Sequence, residues 1–294
     1  RAGEKSESKR CVFFKSQNMH KKSLPLALGL FLMSLCACYE NVEGCLDIKA
    51  RNFNPEADRD CCCEYPIVSA RFEPLLDSAR AWTPNARLVN NLGQEIHLLS
   101  VDFFVHDFFA TNNKGAVYRP TDRIILNLSD QGQTVKEEFT NDFGLIGWPP
   151  SNLSLGRFDE DGEFVEAGLR LGLSQRAELI LPNSAPANHP LRTADFTVMY
   201  DSTRAAFWSG VVRFSTPGPD SAVHILRFSS ADLSGITING VAPFTKKPGE
   251  NFVIRIRGRY DALIRDINLL TGDISAWKQQ MAHNLKEAFV VLPG

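Results

Sequence analysis

Apolar and polar residues alternate along most of the chain between residue 67 and about residue 260, which is the pattern of half-buried β-strands. Gly, Pro, Asn and Asp separate these runs and are typical of turns. The pattern favours an antiparallel sandwich or barrel, and we predict an all-β fold, an antiparallel β-sandwich. The runs are IVSARFEPLL (67–76), EIHLLSVDFFVHDFFA (95–110), DRIILNLS (122–129), GEFVEAGLRLGLS (162–174), GVVRFSTPG (210–218), SAVHILRFSS (221–230), GITING (235–240) and NFVIRIRGRYD (251–261).

The period of the pattern changes near the end of the chain. In ISAWKQQMAHNLKEAF (274–289), Trp277, Met281, Leu285 and Ala288 recur at helical spacing, with polar residues between them. Ser275 is in a position to cap this segment. We therefore predict a C-terminal helix whose apolar stripe packs on the sandwich.

The first 38 residues resemble a leader rather than part of the fold. Met19 is followed by a positively charged run and by an apolar stretch from Leu24 to Leu35, as in secretory signal peptides. The sequence Leu35-Cys36-Ala37-Cys38 resembles a bacterial lipobox, in which Cys38 is the better candidate for lipidation because a small residue precedes it. The alternative is a signal peptide with coincidental cysteines. We expect an exported, lipid-anchored protein of the periplasm or outer membrane of a Gram-negative bacterium.

The positions of the cysteines indicate how the chain is divided into regions. All seven cysteines lie before residue 64, so we predict three regions: the upstream segment and leader (1–38), a short cysteine-rich module (39–66) and a β-sandwich domain (67–294). The module sequence GCLDIKARNFNPEADRDCCCEYP resembles short segments, common after lipoprotein leaders, that a single disulfide closes. The resemblance implies a bridge from Cys45 to Cys61, Cys62 or Cys63, and we predict the pair Cys45 and Cys63. Its Asp and Asn residues also suit calcium, although a disulfide-closed spacer is our prediction.

Composition and motifs exclude several classes of function. The formal net charge is −2 and no basic stripe is present, which argues against nucleic-acid binding. The chain contains no nucleophile elbow, phosphate-binding loop, dinucleotide-binding glycine motif, zinc-protease motif or haem-attachment motif. We expect a protein that is not an enzyme.

The stretch VDFFVHDFF (101–109) places His106 beside Asp107 inside the most apolar run. On a regular strand His106 shares its face with Asp102, Phe104 and Phe108, and Asp107 points to the opposite face. A buried imidazole without a partner costs about 1–3 kcal/mol, so His106 needs a hydrogen bond or a metal ion. His97 and His283, by contrast, have the context of ordinary strand and surface residues.

From Ile67 onward the order of motifs resembles the MbnP-like copper-binding proteins, periplasmic partners of MauG-type dihaem peroxidase-like enzymes. The matching stretches are Val68–Leu76, Asn91–Ile96, the FFVHD segment, Gly168–Leu173, Asn188–Leu191, Phe207–Gly210, His224–Ile225 and the final helix, Ala282–Phe289. The resemblance implies a β-sandwich and copper as the bound metal. It implies His106, His189 and His224 as ligands, with Trp208 as a residue that the dihaem partner oxidises.

The chain also departs from that pattern. An insert separates Met199-Tyr200 from Phe207-Trp208, and the second Trp, the Gln and the Tyr that follow in the family are absent. The alternative hypothesis is therefore a non-enzymatic interaction or adhesion lipoprotein with a degenerate metal site. A further alternative is a glycan-binding sandwich, which requires Trp82 and Trp148 to lie exposed together.

Overall fold

The computed structural model describes residues 41–217 and 222–294, so the predicted leader and Cys38 lie outside the described residues. The strands are β1 (Glu43–Gly44), β2 (Arg59–Asp60), β3 (Ile67–Leu75), β4 (Ala86–Val89), β5 (Glu95–Asn112), β6 (Val117–Tyr118), β7 (Arg123–Asp130), β8 (Gln133–Thr140), β9 (Gly144–Ile146), β10 (Asn152–Arg157), β11 (Gly162–Leu171), β12 (Tyr200–Asp201), β13 (Ala206–Phe207), β14 (Gly210–Ser215), β15 (Val223–Phe228), β16 (Thr237–Lys246), β17 (Phe252–Arg259) and β18 (Phe289–Pro293).

The helices are fewer and mostly short. They are α1 (Gln175–Glu178), α2 (Pro190–Thr193), α3 (Phe196–Met199), α4 (Tyr260–Leu263) and α5 (Ile274–Ala288), with single 3₁₀ turns at Pro182–Ser184 and Leu269–Thr271. No helix within residues 41–217 and 222–294 combines the length and the apolar character that a membrane span needs.

Two sheets form the sandwich. The larger sheet follows the order β15-β14-β5-β11-β16, and β4, β6 and β9 also pair with β5. The smaller sheet follows the order β10-β3-β17-β18. Alternate residues of both sheets are buried and meet in the main hydrophobic core, as in β3, where Val68, Ala70 and Phe72 point inward. The predicted all-β sandwich is confirmed.

One pairing departs from the predicted antiparallel arrangement. Strands β3 and β17 run parallel over their whole length, from Val68 opposite Phe252 to Leu75 opposite Arg259. Every other pairing within the two sandwich sheets is antiparallel. The chain builds the whole larger sheet between these two strands, so they enter the smaller sheet through a long connection, which parallel neighbours require.

The C-terminal helix α5 closes one side of the main core. Trp277, Met281, Leu285 and Ala288 are all buried, which confirms the predicted apolar stripe. The N-cap is Asp273 rather than Ser275, because the Asp273 carboxylate accepts hydrogen bonds from the backbone N–H groups of Ser275 and Ala276. The chain then continues directly into β18, so helix and sheet share one segment.

A second layer covers the other face of the larger sheet. The β7–β8 hairpin and the segment of short helices α1 to α3 enclose a second hydrophobic cluster there. Phe104 of β5 reaches this cluster, whereas Phe103 and Val105 face the main core. The larger sheet is therefore buried on both sides, which explains why β5 reads as an almost continuous apolar run.

Candidate metal centre

His106 lies in β5 immediately before a bulge at Asp107. The register moves from Gly168 opposite Phe109 to Arg170 opposite His106, so β5 contains one extra residue at this point. Asp107 has a φ of 54°, the left-handed conformation that Asp adopts more easily than most residues. The bulge reverses the alternation, so Phe108 faces the main core and the regular-strand prediction that it shares the His106 face is wrong.

The bulge also brings the Asp107 carboxylate toward the imidazole. The Nε2 atom of His106 lies 3.8 Å from Oδ2 of Asp107, and Arg170 Nε lies 3.8 Å from the same oxygen. The prediction that Asp107 points away from His106 is therefore wrong, because it assumed a regular strand. Asp107 is half-exposed, whereas His106 is buried.

A backbone carbonyl fixes the orientation of the His106 ring. Nδ1 lies 2.8 Å from the Gly172 carbonyl oxygen, and an oxygen of this kind only accepts, so Nδ1 carries the proton. The Gly172 N–H donates to the carbonyl of Phe104, which ties the same residue to β5. Gly172 has a φ of 89°, and a Cβ there would lie 2.8 Å from the Leu233 side chain, so glycine is required.

The other ring nitrogen has no hydrogen-bond partner. Nε2 of His106 is buried and unpaired among the described residues. Burial lowers the pKa of His106, with the Asp107 charge opposing that shift. The ring is therefore a neutral imidazole with a bare lone pair on Nε2, held in one orientation, and this is the form in which histidine binds metals.

A second carboxyl group lies beneath the bulge. Asp142 is buried, and its Oδ2 accepts a hydrogen bond of 2.9 Å from the backbone N–H of Phe108. Burial raises the pKa of Asp142 to about 7, and the negative charge of Asp107 adds to that shift. The site thus combines the imidazole nitrogen of His106 with two carboxyl groups, of which Asp107 is half-exposed and Asp142 is buried.

His189 approaches the same aromatic side chain but serves a structural role. The Phe143 ring stacks on His106 at a centroid distance of 6.2 Å and meets His189 edge-on at 5.5 Å. His189 caps α2, because its Nδ1 accepts from the Leu191 N–H at 3.3 Å, while Nε2 lies 3.2 Å from Oδ1 of Asn141. Both ring nitrogens are therefore occupied, and burial lowers the pKa of His189 to about 4.

His224 is not brought to this site. In β15 it pairs with Phe214, which pairs in turn with Leu98 of β5, eight residues from His106. At ~3.3 Å per residue, this separation is about 25 Å along the strand. The His224 ring instead packs against Phe214 and Trp277, each at a centroid distance of 5.2 Å. The structure therefore does not assemble the predicted set of His106, His189 and His224 around one ion.

Trp208 lies at the edge of the second cluster. Its backbone N–H donates to the carbonyl of Met199, and the Arg204 guanidinium lies 4.1 Å from the centroid of its indole ring. Arg204 is also 4.0 Å from the buried carboxylate of Glu178. Trp208 is thus held by packing and a cation–π contact.

The remaining histidines and tryptophans behave mostly as surface and core residues. His97 Nε2 lies 3.0 Å from Oε1 of Glu95, and His283 is exposed on α5. Trp148 is exposed, but Trp82 is buried beneath it at a centroid distance of 5.6 Å. The joint exposure that the glycan hypothesis requires is therefore absent.

The module contains the predicted disulfide and one more. Cys45 is bonded to Cys63, as predicted, and Cys61 is bonded to Cys62. Asp60 lies close enough to Cys45 and Cys63 to complete a three-ligand group, within 4.8 Å. That group is not a metal centre in the oxidised protein, because its two sulfur atoms are engaged in a disulfide and metals bind the free thiolate. Disulfides persist in oxidising compartments, which agrees with an exported protein.

Comparisons with known proteins add one likeness. No protein-family model and no curated protein sequence matches this chain. Among solved structures, MbnP from Methylosinus trichosporium matches with a TM-score of 0.40 and 15% sequence identity, over 67% of this chain and 76% of that chain.

Proposed function

We propose that this protein is an exported copper-binding protein whose metal centre is built on His106. The observation that carries the proposal is the buried, unpaired Nε2 of His106, which the Nδ1–Gly172 hydrogen bond holds in a fixed orientation. An unpaired buried polar atom costs about 1–3 kcal/mol, and a metal ion removes that cost. A ring whose other nitrogen donates to a backbone carbonyl is the usual arrangement of a metal-bound histidine.

Asp107 is the second ligand in this proposal. Its Oδ2 lies 3.8 Å from Nε2 of His106, and an ion with bonds of about 2.0–2.2 Å to each atom spans that distance. Arg170 lies equally close to the same carboxylate and competes with the ion for it. Metal binding therefore replaces the ion pair between Asp107 and Arg170 with a stronger bond from Asp107 to the ion. Phe143 covers one face of the His106 ring and keeps water from it.

The choice of copper rests on chemistry and on the sequence resemblance. Imidazole nitrogen and carboxylate oxygen suit Cu(II), and the Irving–Williams order places copper above the other divalent first-row ions at such a site. The motifs from Ile67 onward resemble those of copper-binding proteins. His189 and His224 make other contacts, so Nε2 of His106 is the anchoring ligand. Carboxylate oxygen and water fill the remaining coordination positions of the ion.

The rest of the proposal concerns location and partner. The disulfides support an exported protein, and Cys38 is the residue that we propose carries the lipid anchor. We also propose, from the sequence resemblance alone, that a dihaem MauG-type enzyme is the redox partner. In this scheme the chain binds copper in the periplasm and does not itself catalyse a reaction.

A copper titration of paired variants tests the proposal. Cu(II) affinity of the exported protein is measured by competition with a chelator for the wild type, His106→Ala and His97→Ala. The last is a matched control, because His97 is also a strand histidine beside a carboxylate. We expect His106→Ala to abolish tight binding and His97→Ala to leave it within about twofold. Tight binding in both variants would contradict the proposal.

One observation favours the interaction-module alternative. The three predicted ligands are not assembled, since His224 packs on Trp277 and His189 caps α2. If the titration finds no copper binding by the wild type, His106 is a packed histidine and the exposed hairpin β7–β8 becomes the first surface to test for a partner.

A further inference from the structure

The three consecutive cysteines of the module are not explained by copper binding or by closure of the module. The Cys45–Cys63 bridge alone closes the fold, with 18 residues of sequence separation. By chain entropy a loop of this size contributes appreciably to stability, whereas a bond between adjacent residues closes almost no loop. The Cys61–Cys62 bond therefore contributes little to stability.

We propose that Cys61 and Cys62 are a redox-active site, a vicinal disulfide that an external dithiol opens while Cys45–Cys63 stays closed. Peptide geometry holds the two Cα atoms 3.8 Å apart, below the range of roughly 4.4–6.8 Å that disulfides usually span. A bridge outside that range is more easily reduced. The inference is independent of the proposed copper function.

Exposure makes the same bond accessible. Cys62 is exposed and Cys61 is partly exposed, whereas Cys45 is fully buried. Exchange requires a thiolate to approach one sulfur of the bridge from outside, so access favours attack at Cys62. In the structural bridge the Cys45 sulfur is buried, so only Cys63, partly exposed like Cys61, is open to attack.

The module is built to keep its shape when the vicinal bond opens. The Asn52 side chain donates to the carbonyl of Cys62 at 2.6 Å and accepts from the N–H of Glu64 at 2.8 Å. The N–H of Cys61 donates to the carbonyl of Gly44, on the neighbouring strand. These bonds and the Cys45–Cys63 bridge fix the backbone on both sides of the pair.

The thiol–disulfide exchange proceeds in two steps. A thiolate of the dithiol attacks Sγ of Cys62, the bond to Sγ of Cys61 breaks, and Cys61 leaves as a thiolate that takes up a proton. The second thiol of the reductant then displaces Cys62, so that the reductant departs as a disulfide. The protein has gained two electrons and two protons and presents two adjacent thiols.

Peptide-resolved alkylation tests the proposal. The exported full chain is equilibrated with increasing dithiothreitol, quenched in acid, alkylated and digested, and each cysteine is quantified by mass spectrometry. We expect Cys61 and Cys62 to react at a dithiothreitol concentration about tenfold lower than Cys45 and Cys63, equivalent to ~30 mV. Circular dichroism should remain that of the folded protein at the first step.

Two variants keep the result interpretable. The double variant Cys61→Ser with Cys62→Ser should lose the first step and keep the second, and the single variant Cys62→Ser should leave Cys61 reactive without reductant. Alkylation of Cys61 and Cys62 in the untreated wild type would overturn the proposal, because no bond would join them. So would opening of both bridges at one reductant concentration.

Discussion

At Asp107 the backbone adopts a conformation that places a carboxylate beside the imidazole of the preceding residue. The φ of 54° is what moves Asp107 toward His106 rather than to the opposite face of the sheet. Asn tolerates this conformation about as well as Asp does, so the charge can be removed without straining the chain. The two properties of Asp107, its geometry and its charge, are therefore separable.

The first prediction concerns this charge. Asp107→Asn should weaken Cu(II) binding about tenfold, which is a loss of ~1.4 kcal/mol of binding free energy. The free energy of unfolding should change by less than about 0.5 kcal/mol. The measurement is chelator competition with urea unfolding on the same samples. Asp266→Asn is the matched control, because Asp266 is also an Asp with positive φ, at 60°, and is exposed. Unchanged affinity in Asp107→Asn would remove Asp107 from the ligand set.

The second prediction separates a cap from a ligand. His189→Ala should cost about 1 kcal/mol, because the Leu191 N–H loses its acceptor, and His189→Asn should restore most of it, since Asn is a good N-cap. Both variants should bind copper within about twofold of the wild type. A loss of copper binding that Asn does not restore would return His189 to the metal site.

The third prediction follows from the pKa of His189, which burial lowers to about 4. Between that value and an unfolded pKa of about 6.5, the unfolded state binds more protons, so the metal-free protein gains stability as pH rises through this window. The full gain is about 3 kcal/mol and is complete above pH ~6.5. His189→Asn should lack this part of the pH dependence when urea unfolding is followed from pH 4 to 7. An identical slope in both proteins would contradict the burial argument.

Among the elements, β16 and β18 approach each other closely at Gly240. A Cβ on Gly240 would overlap the backbone carbonyl oxygen of Val291, with no flexible side chain to move away. Backbone contact here joins an edge of the larger sheet to the C-terminal strand of the smaller sheet. The absence of a side chain at Gly240 therefore allows β18 to lie directly against β16.

The fourth prediction tests that contact. Gly240→Ala should destabilise the protein by about 3 kcal/mol, because β18 must shift to admit the methyl group. Val241→Ala, at the neighbouring exposed position, should change stability by less than about 0.5 kcal/mol. The measurement is urea unfolding of both variants beside the wild type, and equal stabilities would contradict the close approach.

The sequence predicts the long strands and the C-terminal helix well, because these depend on local periodicity, but it misses β8, β10 and the short helices α1 to α3. The 95–110 run corresponds to β5 at Glu95–Asn112, and the 274–289 segment to α5 at Ile274–Ala288. The position of His224 is different, since it depends on two successive strand pairings between distant parts of the chain. The bulge at Asp107 likewise depends on the pairing of β5 with β11. Gly172 lies in the Gly168–Leu173 stretch that carries the resemblance, but its role as the hydrogen-bond acceptor for His106 depends on the fold.

For the whole molecule, the division into a module and a sandwich remains a prediction. The fifth prediction is that Cys45→Ser combined with Cys63→Ser opens the module, at a cost of about 3 kcal/mol to its closed form, while the sandwich stays folded. Limited proteolysis should then cut within residues 41–66 and leave a fragment beginning near Ile67. Cleavage inside the sandwich at the same protease concentration would show that the two parts fold as one unit.

In the proposed site one imidazole, that of His106, anchors the copper ion. Pulsed electron paramagnetic resonance of the Cu(II)-loaded protein detects the remote nitrogen of each coordinated imidazole. We expect the modulation of a single histidine, retained in His189→Asn and His224→Ala and lost in His106→Ala. Of the three, His106 is the one with a buried, unpaired Nε2 whose ring is oriented by a hydrogen bond at Nδ1. A signal from several imidazoles, or one that survives His106→Ala, would show that His106 is not the single imidazole ligand.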